Sequence, residues 1–187
     1  NEGYFNGYDI IDQQAPYFVT VGDLNGDGRQ DLVVVDDGSD TYYLNTGNGG
    51  DGFANFDSFI CENSNGFGGN ALIRDLNNDG HQDVIITDVD VDISGCSRTT
   101  LIYRNLGNVP NITLDEQYVG IGDNQLQGVH DAAVFDINGD GLVDIAYAFY
   151  AEWKDEEDGL EGDALGRPTP VPDSLFPRIY WGKGNGE

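Results

Sequence analysis

Short apolar runs of strand length recur along this chain, each fenced by polar and glycine-rich stretches. Leu32-Val33-Val34-Val35, Val84-Ile85-Ile86-Thr87 and Ile145-Ala146-Tyr147-Ala148 are β-branched or apolar throughout, the pattern of buried strands. Ahead of them stand Tyr17-Phe18-Val19-Thr20-Val21, Ala71-Leu72-Ile73 and Ala132-Ala133-Val134-Phe135. After each run a polar turn leads to an aromatic strand ending in Asn and Gly or in Gly. These strands are Tyr42-Tyr43-Leu44-Asn45-Thr46-Gly47, Leu101-Ile102-Tyr103-Arg104-Asn105-Leu106-Gly107 and Ile179-Tyr180-Trp181-Gly182-Lys183-Gly184. Fourth segments follow at Phe53-Ala54-Asn55-Phe56 and Ile112-Thr113-Leu114. The units read as roughly residues 1–50, 51–108 and 109–187 of a single domain. Four-stranded repeats of this length predict an all-β chain of β-propeller-type blades, three of them, as a partial propeller or an open assembly unit.

What joins the first two strands of each unit is one nine-residue pattern, D-x-N-x-D-G-x-x-D. It occurs at Asp23 to Asp31, Asp75 to Asp83 and Asp136 to Asp144. Oxygen side chains fall at positions 1, 3, 5 and 9, and glycine at position 6. A hard cation such as Ca²⁺ takes roughly six to eight oxygens, and alternating acidic positions on a tight turn supply them. The candidate ligands are Asp23, Asn25, Asp27 and Asp31; Asp75, Asn77, Asp79 and Asp83; and Asp136, Asn138, Asp140 and Asp144. The backbone carbonyl at position 7 (Arg29, His81, Leu142) adds a further oxygen, so three Ca²⁺ sites are expected. Asp, Asn and Gly are ordinary turn residues, but three copies at one spacing argue against chance. An EF-hand needs Glu at position 12 and flanking helices. Position 12 here is Val34, Ile86 or Tyr147, inside a strand pattern, which excludes that reading.

Charge narrows the partners. Of 187 residues, 34 are acidic and 8 basic, a formal net charge of −26. Nucleic acid and anionic membranes are poor partners for such a surface, and no apolar run is long enough for a membrane helix. Nine Asp residues crowd the three loops, so mutual repulsion should destabilise the metal-free form. The chain has no methionine and no leader pattern, and it is expected to begin after processing or a cut. Cys61 and Cys96 flank the second loop. A bridge between them suits an oxidising, calcium-rich compartment; two unrelated buried thiols are the alternative. Asn111-Ile112-Thr113 is the single N-glycosylation sequon.

The pattern of strand, D-x-N-x-D-G-x-x-D, strand, then a Tyr-rich strand ending N-x-G resembles the FG-GAP/VCBS repeat. Integrin-α propellers and fungal propeller lectins belong to that family. The resemblance implies Ca²⁺ held by the side chains at positions 1, 3, 5 and 9 and by the carbonyl at position 7. All twelve side-chain positions match here. The count departs, since propellers close with about four to eight blades. The chain stops at Gly182-Lys183-Gly184-Asn185-Gly186-Glu187, where a fourth strand is due, and opens with Tyr4-Phe5, which reads as such a strand. A fragment, a unit completed by a strand of another copy, and a compact three-repeat monomer are the alternatives.

Strand alternation places the three acidic loops at one rim and the turns between second and third strands at the other. The third of those turns runs from about Ala151 to Pro177. It is acidic and proline-rich, with Trp153 and Leu160 as candidate anchors for a partner, or is a solvated loop. No nucleophile elbow, phosphate loop, zinc spacing or C-x-x-C is present. His81 occupies a position where the backbone matters, with its ring expected to point outward, and His130 has no partner constellation. The expectation is a non-enzymatic, secreted, calcium-stabilised module for adhesion or assembly, meeting other chains or copies of itself at open blade edges. Carbohydrate binding through Tyr42, Tyr43, Tyr103 and Trp181, aromatics that read first as blade-packing residues, or service as the accessory domain of an extracellular enzyme, are the rival readings.

Overall fold

The computed structural model describes residues 16–36, 38–50, 53–64, 68–88, 100–119, 127–151 and 178–183. Among them every regular element is a strand: β1 Phe18–Gly22, β2 Asp31–Val35, β3 Thr41–Asn48, β4 Ala54–Ile60, β5 Gly68–Arg74, β6 Asp83–Asp88, β7 Thr100–Asn105, β8 Leu114–Val119, β9 Gln127–Phe135, β10 Asp144–Ala151 and β11 Arg178–Tyr180. They form three antiparallel sheets with up-and-down order: β1-β2-β3-β4, β5-β6-β7-β8 and β11-β10-β9. Each fourth strand pairs with the third strand of its own unit, so the sheets run over 18–60, 68–119 and 127–180.

Register follows from the short acidic loops. Gly22 faces Asp31, Arg74 faces Asp83 and Phe135 faces Asp144, so each loop closes a hairpin at the same point of its sheet. The first strands β1, β5 and β9 lie side by side, as the inner strands of neighbouring blades do.

The second sheet is the middle layer, and its sequence shows why. Alternate residues of a strand point to opposite faces. Val84 and Ile86 join Ala71, Leu101 and Tyr103 against Leu24, Val33, Val35, Tyr42 and Leu44 of the first unit and Cys61, just after β4. On the opposite face Leu72 packs with Ala132, Ile145 and Tyr147 of the third. A strand covered on both faces reads as an unbroken apolar run, and Val84, Ile85 and Ile86 are completely buried. The segment Ile112-Thr113-Leu114 is corrected in detail: the strand itself is Leu114–Val119, and Ile112 plugs the core ahead of it.

Tyr4-Phe5, the turn carrying Cys96 and the long turn with Trp153 and Leu160 lie outside the described residues. Cys61 is buried, and burial chiefly, with Asp40 nearby, pushes its thiol up to about 12. Asn111 is exposed beside buried Ile112.

Candidate metal loops

Each acidic loop folds by the same set of hydrogen bonds. The position-1 carboxylate accepts the amides of positions 5 and 6. Asp23 takes Asp27 at 3.0 Å and Gly28 at 2.8 Å; Asp75 takes Asp79 at 3.1 Å and Gly80 at 2.9 Å; Asp136 takes Asp140 at 3.1 Å and Gly141 at 2.8 Å. The position-5 carboxylate accepts the amide of position 7, from Arg29 and His81 at 2.9 Å and from Leu142 at 2.8 Å. The position-3 amide groups, Asn25, Asn77 and Asn138, donate to that same position-5 carboxylate. Wrapping the chain this tightly puts position 6 in the left-handed region, with φ of 82° at Gly28, 90° at Gly80 and 85° at Gly141. Residues with a Cβ disfavour that region, which is why glycine stands there.

Local cations differ among the loops. Arg29 pairs with Asp27 and donates its Nε–H to the Asn45 carbonyl at 2.7 Å. Arg104 stands 3.8 Å from Asp79. At Asp27 and Asp79 burial raises the pKa, but hydrogen bonds and these neighbouring cations outweigh it and hold both carboxyls below the ordinary range. The third loop has uncharged Leu142 at position 7. The exposed His81 ring lies over Gly107, where an added Cβ would meet Nε2 at 2.3 Å. The exposed ring therefore rests against the turn that follows β7.

Position 9 does something the spacing alone did not reveal. Asp31, Asp83 and Asp144 are buried, and each staples its loop to another strand. One carboxylate oxygen accepts the position-2 amide: Leu24 at 2.7 Å, Leu76 at 2.9 Å, Ile137 at 3.0 Å. The other accepts an amide from the third strand or just past it: Asn45 within β3 at 2.8 Å, Asn105 at the end of β7 at 2.9 Å, and Gly182 after β11 at 2.8 Å. Burial pushes Asp31 and Asp83 upward in pKa, against the pull of these amide bonds.

The fit to a cation rests on the donor set. Every side chain at positions 1, 3, 5 and 9 is an oxygen donor, and three of the four are carboxylates. Among the described residues no three acidic, imidazole or thiol groups are gathered about one point as a metal cluster. Two facts of chemistry account for that arrangement. Part of the expected shell is an Asn oxygen and a backbone carbonyl, and the loop carboxylates accept backbone N–H groups within their own turns. The carboxylate oxygens retain lone pairs beyond those bonds. The residues fit Ca²⁺ in type and order along the loop.

The aromatic candidates part company. Tyr42, Tyr43 and Tyr103 are buried, with Tyr42 stacked on Phe59 at 5.1 Å between ring centres. Tyr42 and Tyr103 pack between the first two sheets and Tyr43 is buried as well, so none of the three offers an open face to a sugar. Trp181 is 56% exposed. Asn105, fully buried, went unnoticed in the sequence except as the end of an N-x-G strand. Its side chain donates to Leu24 O at 2.8 Å and Gln82 O at 2.9 Å, and accepts from Gly107 N at 2.9 Å.

Small antiparallel sheets, each opened by an acidic hairpin loop and packed face to face, define a β-propeller-like protein. Residues 23–86, from the first loop into the second unit's apolar strand, match the family model described as an FG-GAP-like repeat, and the chain carries that repeat. No match to a curated protein reaches significance.

Proposed function

We propose that this chain is a calcium-stabilised, non-catalytic module of an extracellular protein, serving adhesion or assembly. The observation that carries the reading is the threefold recurrence of one oxygen-only, carboxylate-rich loop at the same point of three packed sheets. Asp23, Asn25, Asp27, Asp31 and the Arg29 carbonyl would hold an ion in the first loop. Asp75, Asn77, Asp79, Asp83 and the His81 carbonyl would do so in the second, and Asp136, Asn138, Asp140, Asp144 and the Leu142 carbonyl in the third. Bound Ca²⁺ supplies positive charge where Asp side chains otherwise repel one another. Free calcium is high outside cells, which suits an acidic chain whose fold depends on it.

The partners are other protein chains or copies of this one. Among the described residues, Phe18, Val19 and Val21 on β1 and Ile179 and Trp181 at β11 are exposed apolar side chains on strands that end their sheets. Melting in millimolar CaCl₂, in MgCl₂ and in chelator tests the metal reading. A rise of melting temperature in calcium alone supports it, and identical curves sink it. Light scattering of the same samples reports self-association. Carbohydrate binding keeps one supporting observation, the exposure of Trp181. A glycan array with Trp181→Ala as control decides it.

A further inference from the structure

We infer that the first two acidic loops bind their cations cooperatively, through Asn105, and that the third loop binds independently. This deepens the calcium reading and rests on it.

Three hydrogen bonds in series connect a carboxylate of one loop to a carboxylate of the next. Asp31 accepts the Leu24 amide at 2.7 Å. The Leu24 carbonyl accepts the Asn105 side-chain amide at 2.8 Å, across the boundary between the first and second sheets. The Asn105 backbone amide donates to Asp83 at 2.9 Å. Both ends of this chain are position-9 ligands, and every residue along it is buried. Asn105 is held from a second side, because its Nδ2 also donates to Gln82 O, the residue before Asp83. Ordering the first loop about an ion fixes Leu24, which fixes Asn105, which holds Asp83 where the second loop needs it. The second ion then meets a loop whose ordering has already been done, the origin of positive coupling.

The third unit lacks the link for a visible reason. The residue equivalent to Asn105 is Gly182, whose amide donates to Asp144 at 2.8 Å but which has no side chain to reach the second loop. An added Cβ there would lie 2.0 Å from the Val143 carbonyl oxygen, so the strand runs too close to its own loop to carry an asparagine.

The test uses the full chain labelled with ¹⁵N and titrated with CaCl₂. The amides of Gly28, Gly80 and Gly141 each belong to one loop and report its occupancy separately. Asp27→Asn weakens the first loop directly. The expected result is that it also moves the Gly80 midpoint to about five-fold higher calcium or more, and leaves the Gly141 midpoint in place. Asn105→Ser, too short to reach Leu24, should reduce that cross-effect to less than two-fold while all three glycines still respond. If the Gly80 midpoint stays put in Asp27→Asn, or Gly141 moves as far as Gly80, the coupling is overturned while the metal reading stands. If no glycine responds to calcium, both fall. Should Asn105→Ser fail to fold, the Asp27→Asn comparison of Gly80 with Gly141 still decides the matter.

Discussion

The hydroxyl of Tyr103, in the third strand of the second sheet, donates to the Glu62 carbonyl, just after β4 of the first sheet, at 2.8 Å. The ring is completely buried between the two sheets. Burial first, then the nearby Cys61, Glu116 and Asp40, push this phenol far above its ordinary value, so it stays a donor at any physiological pH. Tyr103→Phe removes the bond and keeps the ring. Its expected cost is about 1 kcal/mol, against about 3–5 kcal/mol for Tyr103→Ala, which also opens a cavity. Denaturant midpoints at fixed calcium measure both.

Asp31 and Asp140 should behave differently in chelator, although both are candidate ligands. Asp31 is buried and accepts one amide from its own loop and one from β3. An asparagine there would turn an NH₂ toward one of them, at a cost of about 2 kcal/mol or more. Asp140 is exposed and serves only its own loop, so Asp140→Asn should leave the metal-free melting temperature nearly unchanged. In calcium both variants should lose ion-dependent stabilisation. Equal effects in chelator would refute the structural role assigned to position 9.

Two glycines separate strain from collision. Gly28 has a φ of 82° and open space around a would-be Cβ. Gly28→Ala should therefore cost only the backbone penalty of about 1–2 kcal/mol. Gly182→Ala drives a Cβ into the Val143 carbonyl oxygen and must shift the strand. It should melt well below Gly28→Ala, as calorimetry would show.

Alkali should destabilise the fold. The Cys61 thiol is raised from its ordinary value of 9.0 to about 12. A raised acid contributes stability that is complete below the unfolded value, and that stability is lost as pH climbs through the window to the folded one. Melting temperature should fall between about pH 9 and pH 12, and less so in Cys61→Ala. The same shift predicts that, in a Cys96→Ser background, native Cys61 resists alkylation at pH 8 and unfolded chain does not. Rapid labelling of the native protein would contradict the buried placement.

Much of this molecule is readable from its letters. The β-branched runs at Val33, Val84 and Ile145 mark second strands because local alternation and branching set strand formation. The acidic loops are legible because an oxygen donor set and a left-handed glycine are properties of nine consecutive residues. Where two strands pair at a loop's base, the register follows from the loop's own length.

Contacts across sheets are a different matter. Tyr42 and Tyr103 read from the sequence as packing residues first, but which sheet covers them follows only from the stacking of the blades. Asn105 looks like one more strand end, yet its partner Leu24 is 81 positions away. The sequence by itself determined the loops, the strands and the acidic character, because those depend on neighbours along the chain. Only tertiary structure decided that position 9 is a buried staple and that two loops share one asparagine. Such bonds join residues that meet only once separate sheets are packed.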